Sequence, residues 1–301
     1  MSVCFMIMAH KDPEQFKDLA QTLLDAGGRV VAFIDGKQSL APYQMKRVEF
    51  IEKRHKVNWG GYSQTLAMQK LLRRAVIAFP ASSHYVFLSG QDYPIKSVRE
   101  YIDFLHQEGN SNRCWVNFYA MAPGTQFFDV LKYPTSYDMR AFLGQGIYDR
   151  LNKLVSAYYR RRPRTKYPVQ FYRGSTSWVL SRQGALAVIE YLDSAQGKRV
   201  SRFLKYTHVS DEIWCATALL NSPARDLAVN WETDGQLKPG ERFGENKVYH
   251  HYIDWSPERE NPALLTVDDL PAMDASGKWF ARKFDVDKSA ELLEVLRKRQ
   301  S

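Results

Sequence analysis

The sequence predicts an α/β fold in which a mostly parallel, twisted sheet is flanked by helices. Short apolar runs of strand length, such as Val3–Met8, alternate with amphipathic helical stretches over the first 120 residues. The links between them are short, as expected of right-handed β-α-β crossovers. The chain of 301 residues is 45% hydrophobic and 13% aromatic, which supplies a large core and excludes a disordered chain.

Local signals place each predicted element in order. Asp12 and Pro13 suit the N-cap and the first position of a helix, Ser63 suits the N-cap of the next, and Ser97 with Glu100 has capping-box spacing. The predicted strands lie near residues 3–8, 29–34, 48–51, 85–88 and 114–119. The predicted helices lie near 13–26, 63–75, 98–105, 147–160, 182–194 and 211–221, and from residue 288 onward. Residues 1–120 therefore resemble a doubly wound nucleotide-binding sheet, and the remainder is richer in loops.

The charge balance bounds the partners of the protein. Lysines and arginines exceed aspartates and glutamates by nine, which favours anionic partners such as nucleotide phosphates, an acidic glycan, a membrane surface or nucleic acid. General solubility explains the same excess equally well. The densest cluster contains five cations between Arg160 and Lys166, in a segment that we expect to be loop-like.

Cysteine usage and hydropathy indicate the cellular compartment of the protein. Cys4, Cys114 and Cys215 are odd in number and far apart, which argues against a disulfide framework or a zinc ribbon and favours a reducing cytoplasm. No apolar run reaches the ~20 residues of a membrane helix. The first residues read as a strand rather than as a secretory signal.

Polar residues follow three predicted strands at their carboxyl ends, where open α/β sheets bind ligands. They are Ala9-His10-Lys11, Ile34-Asp35-Gly36 and Ser89–Pro94. Each alone is ordinary turn chemistry, but the three together predict a site. Dinucleotide, P-loop and nucleophile-elbow motifs are absent from the sequence.

Two short motifs look like metal sites by their letters alone. Asp285-Val286-Asp287 precedes the final helix, where N-cap chemistry is the simpler interpretation. His250 and His251 are adjacent, and adjacent residues of a strand point to opposite faces. We therefore predict no metal site.

Asp211 and Glu212 stand at the start of a predicted helix. Acidic residues there simply complement the helix dipole. The same dipole would keep Glu212 ionised, which suits a general base.

Seven segments carry a family resemblance, and they run in order across nearly the whole chain. They are Ala9–Lys11, Ile34-Asp35, Trp59–Ser63, Leu88–Lys96, Gly174–Trp178, Ser210–Trp214 and Phe280–Phe284. Together they resemble the core-2/I-branching β-1,6-N-acetylglucosaminyltransferases and their peptide O-xylosyltransferase relatives. The LSGQDYP and FARKF pieces are the most specific.

The resemblance implies a GT-A-type glycosyltransferase fold, a UDP-sugar donor and inversion at the anomeric carbon. Residues 1–120 would form a Rossmann-like half that binds the UDP-sugar. Residues 121–301 would form the acceptor-binding and catalytic half of the same continuous domain. Golgi members of the family carry a membrane anchor and lumenal disulfides. We expect this chain to be a soluble, bacterial-type member in the cytoplasm, peripheral at the inner face of the membrane.

The resemblance also implies roles for single residues. Glu212 falls on the catalytic base, Asp35 on the uridine pocket, and Lys283 replaces the metal ion that most GT-A enzymes use at the diphosphate. The donor-binding residues implied are Ala9, His10, Asp35, Trp59, Ser63, Asp92, His251, Arg282 and Lys283. The acceptor-binding residues implied are Gly174, Ser175, Trp178 and Trp231. His251 stands where the family has a phosphate-binding arginine, and His251 or Arg259 could substitute for it.

The predicted function is inverting transfer of N-acetylglucosamine, or xylose, from a UDP-sugar to a hydroxyl of a glycan or lipid-linked saccharide. No metal or other cofactor is expected. Contact with an anionic membrane surface is expected. Peptide O-xylosyltransfer is the alternative within the class. Alternatives of other classes are a non-catalytic carbohydrate-binding protein and a nucleic-acid-binding protein built on Arg160–Lys166. The sequence lacks any RNP-type, helix-turn-helix or zinc-finger signature, so nucleic acid is not expected as a partner.

Overall fold

The computed structural model describes residues 2–125, 127–135, 137–139, 145–229, 250–260 and 262–300. Its strands are β1 (Ser2–Ala9), β2 (Arg29–Ile34), β3 (Val48–Phe50), β4 (Ser82–Ser89), β5 (Asp92–Pro94), β6 (Cys114–Ala120), β7 (Tyr172–Ser181), β8 (Ala228–Val229), β9 (His251–Ile253) and β10 (Phe280–Arg282). Its α-helices are α1 (Pro13–Asp25), α2 (Tyr62–Ala78), α3 (Val98–His106), α4 (Asp129–Lys132), α5 (Gln145–Arg161), α6 (Arg182–Asp193), α7 (Ala195–Leu204), α8 (Trp214–Leu220), α9 (Leu270–Ala275) and α10 (Ala290–Lys298).

A seven-stranded sheet forms the centre, in the order β3-β2-β1-β4-β7-β6-β8. The strands from β3 to β4 pair in parallel, as β6 and β8 do, whereas β7 runs antiparallel to both of its neighbours. The predicted α/β class with a mostly parallel sheet is therefore confirmed. The sequence did not predict β7, which inserts between β4 and β6. Strands from both sides of residue 120 thus share one sheet.

Apolar layers cover both faces of this sheet. On one face α2, α6 and α8 pack over a core that includes Trp178 and Trp214. On the other face α1, α3 and α10 pack over a second core that includes Phe16 and Tyr101. Strands buried on both faces read as continuous apolar runs, which explains the run Val3–Met8 in β1.

The predicted starts of α1 and α3 are confirmed. The capping expected of Asp12 in α1 and of Ser63 in α2 differs from what the structure shows. Asp12 is the N-cap of α1 with a φ of 53°, yet its side chain pairs with Lys11 at 2.8 Å and does not cap. Helix α2 begins at Tyr62 with Gly61 as the N-cap, so Ser63 lies inside the first turn. Ser97 does cap α3, because its side chain accepts a hydrogen bond from the Glu100 amide.

A second sheet of three strands, in the order β5-β10-β9, lies beside the first. Strand β10 pairs antiparallel with β5, placing Arg282 opposite Asp92, and parallel with β9, placing Phe280 opposite His251. Two further hydrogen bonds join these segments. The Gln91 side-chain amide donates to the Phe284 carbonyl, and the Phe284 backbone amide donates to the Gln91 carbonyl. The LSGQDYP and FARKF pieces, distant in sequence, are therefore neighbours in the fold.

The helix predicted near 211–221 is shorter than expected. A 3-10 turn, Ser210–Glu212, precedes α8, which begins at Trp214. Among the described helices, none has the length and apolar character needed to cross a bilayer.

Candidate active site

The carboxyl ends of β1, β2 and β4 meet, as the sequence predicted. The Ala9 carbonyl accepts the Asp35 amide at 2.8 Å, and the Met8 carbonyl accepts the Gly90 amide at 2.9 Å. A Cβ at Gly90 would lie 2.7 Å from the Cβ of Ala9, so a glycine is required for this approach. Ala9 itself is fully buried, and it contributes its backbone to this edge.

Asp35 orders the loop that faces this edge. Its Oδ1 accepts hydrogen bonds from the backbone amides of Lys37 at 2.9 Å and Val57 at 3.1 Å. His10 directly follows Ala9 at this edge. Desolvation and the charge of Arg282 lower the pKa of His10, and the charge of Asp35 opposes them. Asp35, His10 and Arg282 therefore share one electrostatic environment.

Asp92 is the buried centre of a cluster that it forms with Ser89, His251 and Arg282. Its carboxylate accepts the Ser89 amide at 2.7 Å and the Ser89 hydroxyl at 2.8 Å, and it lies 3.3 Å from Nε2 of His251 and 3.5 Å from Nη1 of Arg282. Burial alone would raise the pKa of Asp92, but the His251 hydrogen bond and the Arg282 charge hold it below its usual value. Asp92 thus fixes Arg282 at the end of the sheet.

Neither residue expected to replace the family's phosphate-binding arginine is available for that role. Arg259 pairs with Asp254 at 2.8 Å and Asp269 at 2.6 Å, which corrects the expectation that it reaches the site. His251 is 1% exposed, bonds to Asp92 and stacks on Phe280. Its geometry is that of a support for Asp92 rather than of a diphosphate ligand.

Glu212 lies in the 3-10 turn before α8, and not in the first turn of an α-helix as predicted. A turn of three residues has no useful dipole, so a side chain supplies the electrostatic partner instead. Arg173, next to Gly174 on β7, makes a hydrogen-bonded ion pair with Oε2 of Glu212. The guanidinium of Arg173 also stacks on the Phe127 ring, 3.7 Å from its centroid.

Asp211 differs from its neighbour in being almost fully buried. Its Oδ2 accepts a hydrogen bond from the Gln64 side chain at 2.9 Å, whereas its buried Oδ1 has no hydrogen-bond partner among the described residues. Burial, and next the charge of Glu212, raise the pKa of Asp211 to about 7. Arg173 and Arg282 both act on this carboxyl in the opposite direction.

An aromatic group of Trp59, Tyr137 and His208 lies at the segment that leads into the Ser210–Glu212 turn. Trp59 is 76% exposed, with its ring edge-on to His208 at 5.9 Å. His208 stacks on Tyr137 at 4.1 Å, and burial, followed by the charge of Arg173, lowers the pKa of His208. Gly60 has a φ of +71°, and a Cβ there would lie 2.8 Å from Nε2 of His208.

Ser63 is engaged in protein contacts rather than turned to a ligand. Its hydroxyl donates to Asp138 at 2.5 Å and accepts the Asn58 amide, and its own amide donates to Asp138. Asp138, in the 3-10 turn Tyr137–Met139, therefore binds the first turn of α2 through Ser63.

Of the predicted acceptor residues, Trp178 is a correction. It is 1% exposed, stacks on Phe87 at 5.4 Å and meets Trp214 edge-on at 5.6 Å, so it belongs to the core. Gly174 lets β7 approach β6, since a Cβ there would lie 1.8 Å from the Asn117 carbonyl oxygen. Ser175 lies within the irregular pairing between these strands, where it accepts the Ser177 amide. Trp231 lies outside the described residues.

The two metal-like motifs have structural explanations. The carboxylate of Asp285 accepts the amides of Asp287 and Lys288 in the turn before α10, and it pairs with Lys11 at 2.8 Å. The N-cap of α10 is Ser289, so the predicted N-cap role of this motif is wrong. His250 and His251 face opposite sides, with His250 on the Tyr101 hydroxyl at 2.5 Å. The described part of the chain contains no group of three or more His, Cys, Asp or Glu side chains arranged to hold a metal.

Comparison with known proteins identifies the family. The family model described as Core-2/I-Branching enzyme matches residues 3–274. The chain belongs to the core-2/I-branching enzyme family. The resemblance seen in the seven sequence segments is therefore confirmed.

Curated relatives of this family member bear two kinds of name. Xylosyltransferase 2 of Canis lupus familiaris is 26% identical over 248 residues, which are 79% of this chain and 26% of that protein. The probable beta-1,3-galactosyl-O-glycosyl-glycoprotein beta-1,6-N-acetylglucosaminyltransferase 7 of Sus scrofa is 26% identical over 251 residues, which are 81% of this chain and 52% of that protein. The chain spans about a quarter of the first relative and half of the second.

One solved structure is similar over most of the chain. It is a glycosyltransferase involved in the glycosylation of the major capsid of PBCV-1, 11% identical, and the match covers 98% of this chain with a TM-score of 0.33.

Several site residues were not found by sequence reasoning. Arg173 stands directly before the Gly174–Trp178 segment, so its position was a signal that could have been used. Gln64, Asp138 and His208 reach the site from other elements, and nothing local in the sequence marks them.

Proposed function

We propose that this core-2/I-branching family member is an inverting glycosyltransferase with a GT-A-type fold. It would transfer N-acetylglucosamine, or xylose, from a UDP-sugar to a hydroxyl of a glycan or lipid-linked saccharide. One observation carries the proposal. The family-specific LSGQDYP and FARKF segments pair as neighbouring strands, which sets the Arg282 cation opposite Asp92 beside the carboxyl ends of the parallel strands.

Each group has a role in this proposal. Inverting transfer needs a carboxylate that accepts the proton of the attacking hydroxyl, and Glu212 is that base. The departing diphosphate needs positive charge at the moment its bond breaks, and Arg282 with Lys283 supplies it. Asp92 holds Arg282 in place, and Asp35 orders the loop on the uridine side. Because fixed side-chain cations neutralise the diphosphate, turnover requires no divalent metal.

A second candidate function differs from the first in its donor sugar and its acceptor. The relatives named xylosyltransferase 2 favour peptide O-xylosyltransfer as the alternative. A cytoplasmic location is part of the first proposal, because Cys4, Cys114 and Cys215 are all free and buried. A screen of UDP-sugars for thermal stabilisation and hydrolysis separates the two donors, and peptide and saccharide acceptors then separate the two activities.

Metal independence is tested with Lys283→Ala and with EDTA. In excess EDTA the wild-type protein should keep nearly all of its turnover with the donor found in the screen. The K283A variant should lose both UDP affinity and rate, since it removes one of the two cations at the diphosphate. Lys298→Ala, at the far end of α10, is the matched control and should change neither. Loss of turnover in EDTA with recovery on adding manganese would overturn this part of the proposal.

A further inference from the structure

An exposed apolar row runs along helix α5. Ile147, Leu151 and Leu154 are exposed by 59%, 42% and 69%, and Tyr158 is more than half exposed. Their spacing of four, three and four residues places them on one stripe of the helix. Scattered apolar side chains on a surface are ordinary, but a continuous row marks an interaction surface.

Positive charge borders this row. Residues 145–166 contain seven lysines and arginines and one aspartate, so this segment carries +6 of the chain's net charge of +9. Arg150 lies three residues after Ile147 and four before Leu154, and Arg161 lies three after Tyr158, so both arginines flank the row. Both are exposed. The helix therefore combines an apolar stripe with an arginine edge.

The cluster predicted from Arg160 to Lys166 needs two corrections. Residues 160 and 161 belong to α5 rather than to a loop. Arg164 is an internal anchor, because its guanidinium lies 3.9 Å from the Phe203 ring centroid and donates to Thr207 at 3.1 Å. This contact ties the end of α5 to the loop that leads into the Ser210–Glu212 turn.

We propose that α5 binds the surface of a bilayer containing anionic lipids. Ile147, Leu151 and Leu154 enter the interface between headgroups and acyl chains, and Arg150 and Arg161 contact lipid phosphates. A helix with an apolar stripe beside arginines is suited to lie in the plane of that interface. A second copy of this chain would bring two segments of +6 together, and nucleic acid would leave the apolar row without a partner. An anionic membrane offers phosphates to the arginines and an apolar layer to the exposed row.

The binding itself does not depend on the enzymatic activity. Its consequence for the acceptor rests on the proposed function. Because Arg164 fixes the end of α5 to the loop before Glu212, a docked helix holds that loop near the membrane surface. An acceptor saccharide carried on a lipid would then be presented on the side of the proposed base.

Vesicle sedimentation tests the proposal with the whole protein. At low salt the wild type should sediment with vesicles of phosphatidylcholine and phosphatidylglycerol and not with phosphatidylcholine alone, and salt should weaken the binding. The double variant Leu151→Ser with Leu154→Ser should bind the anionic vesicles about tenfold or more weakly. Arg150→Gln with Arg161→Gln should weaken binding and flatten its salt dependence.

Two matched controls should leave vesicle binding unchanged. Ile77→Ser removes an apolar side chain that is 70% exposed on α2, and Lys198→Gln with Arg199→Gln removes two exposed cations from α7. The altered residues are exposed, so thermal unfolding should confirm that every variant folds. Wild type that stays in the supernatant at low salt overturns the proposal. So does a dimer in light scattering that the leucine variant dissociates, or filter-binding to nucleic acid that the leucine variant abolishes.

Discussion

Glu212 and Asp211 share one 3-10 turn but have different surroundings. Glu212 is partly exposed and pairs with Arg173, whereas Asp211 is buried against Gln64. Neighbouring carboxyl groups in unlike surroundings are a common way to separate an acid from a base. We expect Glu212 to act on the acceptor hydroxyl. We expect Asp211, whose pKa is raised to about 7, to stay protonated in the folded protein at mildly acidic pH, with consequences for stability.

Asp211→Asn should stabilise the protein in a pH-dependent way. The pKa of Asp211 is about 7 in the folded protein against an ordinary value of 3.8, so the folded state retains a proton that the unfolded state releases. The contribution of Asp211 to wild-type stability therefore falls as pH rises between these values, by roughly 1 kcal/mol per pH unit. The D211N variant lacks this loss. Its unfolding free energy should match wild type near pH 4 and exceed it increasingly up to pH 7.

Urea unfolding at a series of pH values measures this difference. Asp226→Asn, at an exposed aspartate, is the control and should give a constant difference across the series. A D211N curve that runs parallel to wild type would show that Asp211 is ionised throughout and would contradict the account.

Sequence reasoning at this scale found the residues that belong to specific motifs. Glu212, Asp92 and Arg282 were predicted from such motifs, and their roles remain predictions. The Glu212–Arg173 pair was not foreseen, since it joins two elements that only the fold brings together. Trp178 was wrongly placed at an acceptor, because a motif cannot show that its tryptophan points into the core.

Among the elements, β7 does most to connect the site. It pairs with β4 and β6, carries Arg173 at its start and buries Trp178 near its end. Its Gly-Ser-Thr-Ser stretch lacks the alternation or apolar run that marks a strand, so local pattern could not predict it. Pairing with two neighbouring strands overrides that weak propensity.

Trp178→Ala should be a stability variant rather than an acceptor-binding variant. The side chain is enclosed by Phe87 and Trp214, so its removal should cost about 3–5 kcal/mol of unfolding free energy. Trp59→Ala is the matched control, and its exposed ring should cost less than about 0.5 kcal/mol. Urea denaturation of both variants decides this. Nearly unchanged stability in W178A, with weakened acceptor binding, would restore the original assignment.

Helices were predicted more reliably than their boundaries. The amphipathic stripes of α1, α3 and α10 mark them in sequence, and each is present. The start of α2 could not be located from Ser63, because Gly61 is the N-cap and the Ser63 amide donates to Asp138, in a 3-10 turn far along the chain. The break between Glu212 and α8 also depends on tertiary contacts, among them the Ser210 hydroxyl bond to Thr65.

At the scale of the whole molecule, two sheets bring distant segments together. The large sheet gathers the ends of β1, β2 and β4, and the small sheet sets Arg282 against Asp92 beside that edge. The α/β class and the meeting of strand ends could be predicted, because parallel crossovers have few alternatives. The order of the last three strands of the large sheet could not, since it depends on a strand that enters from the second half.

The central claim is that Glu212 is the catalytic base, and Glu212→Gln tests it most directly. The measurement is steady-state release of UDP from the stabilising donor, in EDTA and with acceptor, beside a UDP titration. Glutamine keeps the size of the side chain but cannot take the proton, so turnover should fall about 10²–10⁴-fold while UDP affinity stays nearly unchanged. Glu190→Gln, at an exposed acid on α6, should keep wild-type turnover. Turnover by E212Q above about a tenth of wild type would contradict the account and move the base to another carboxylate.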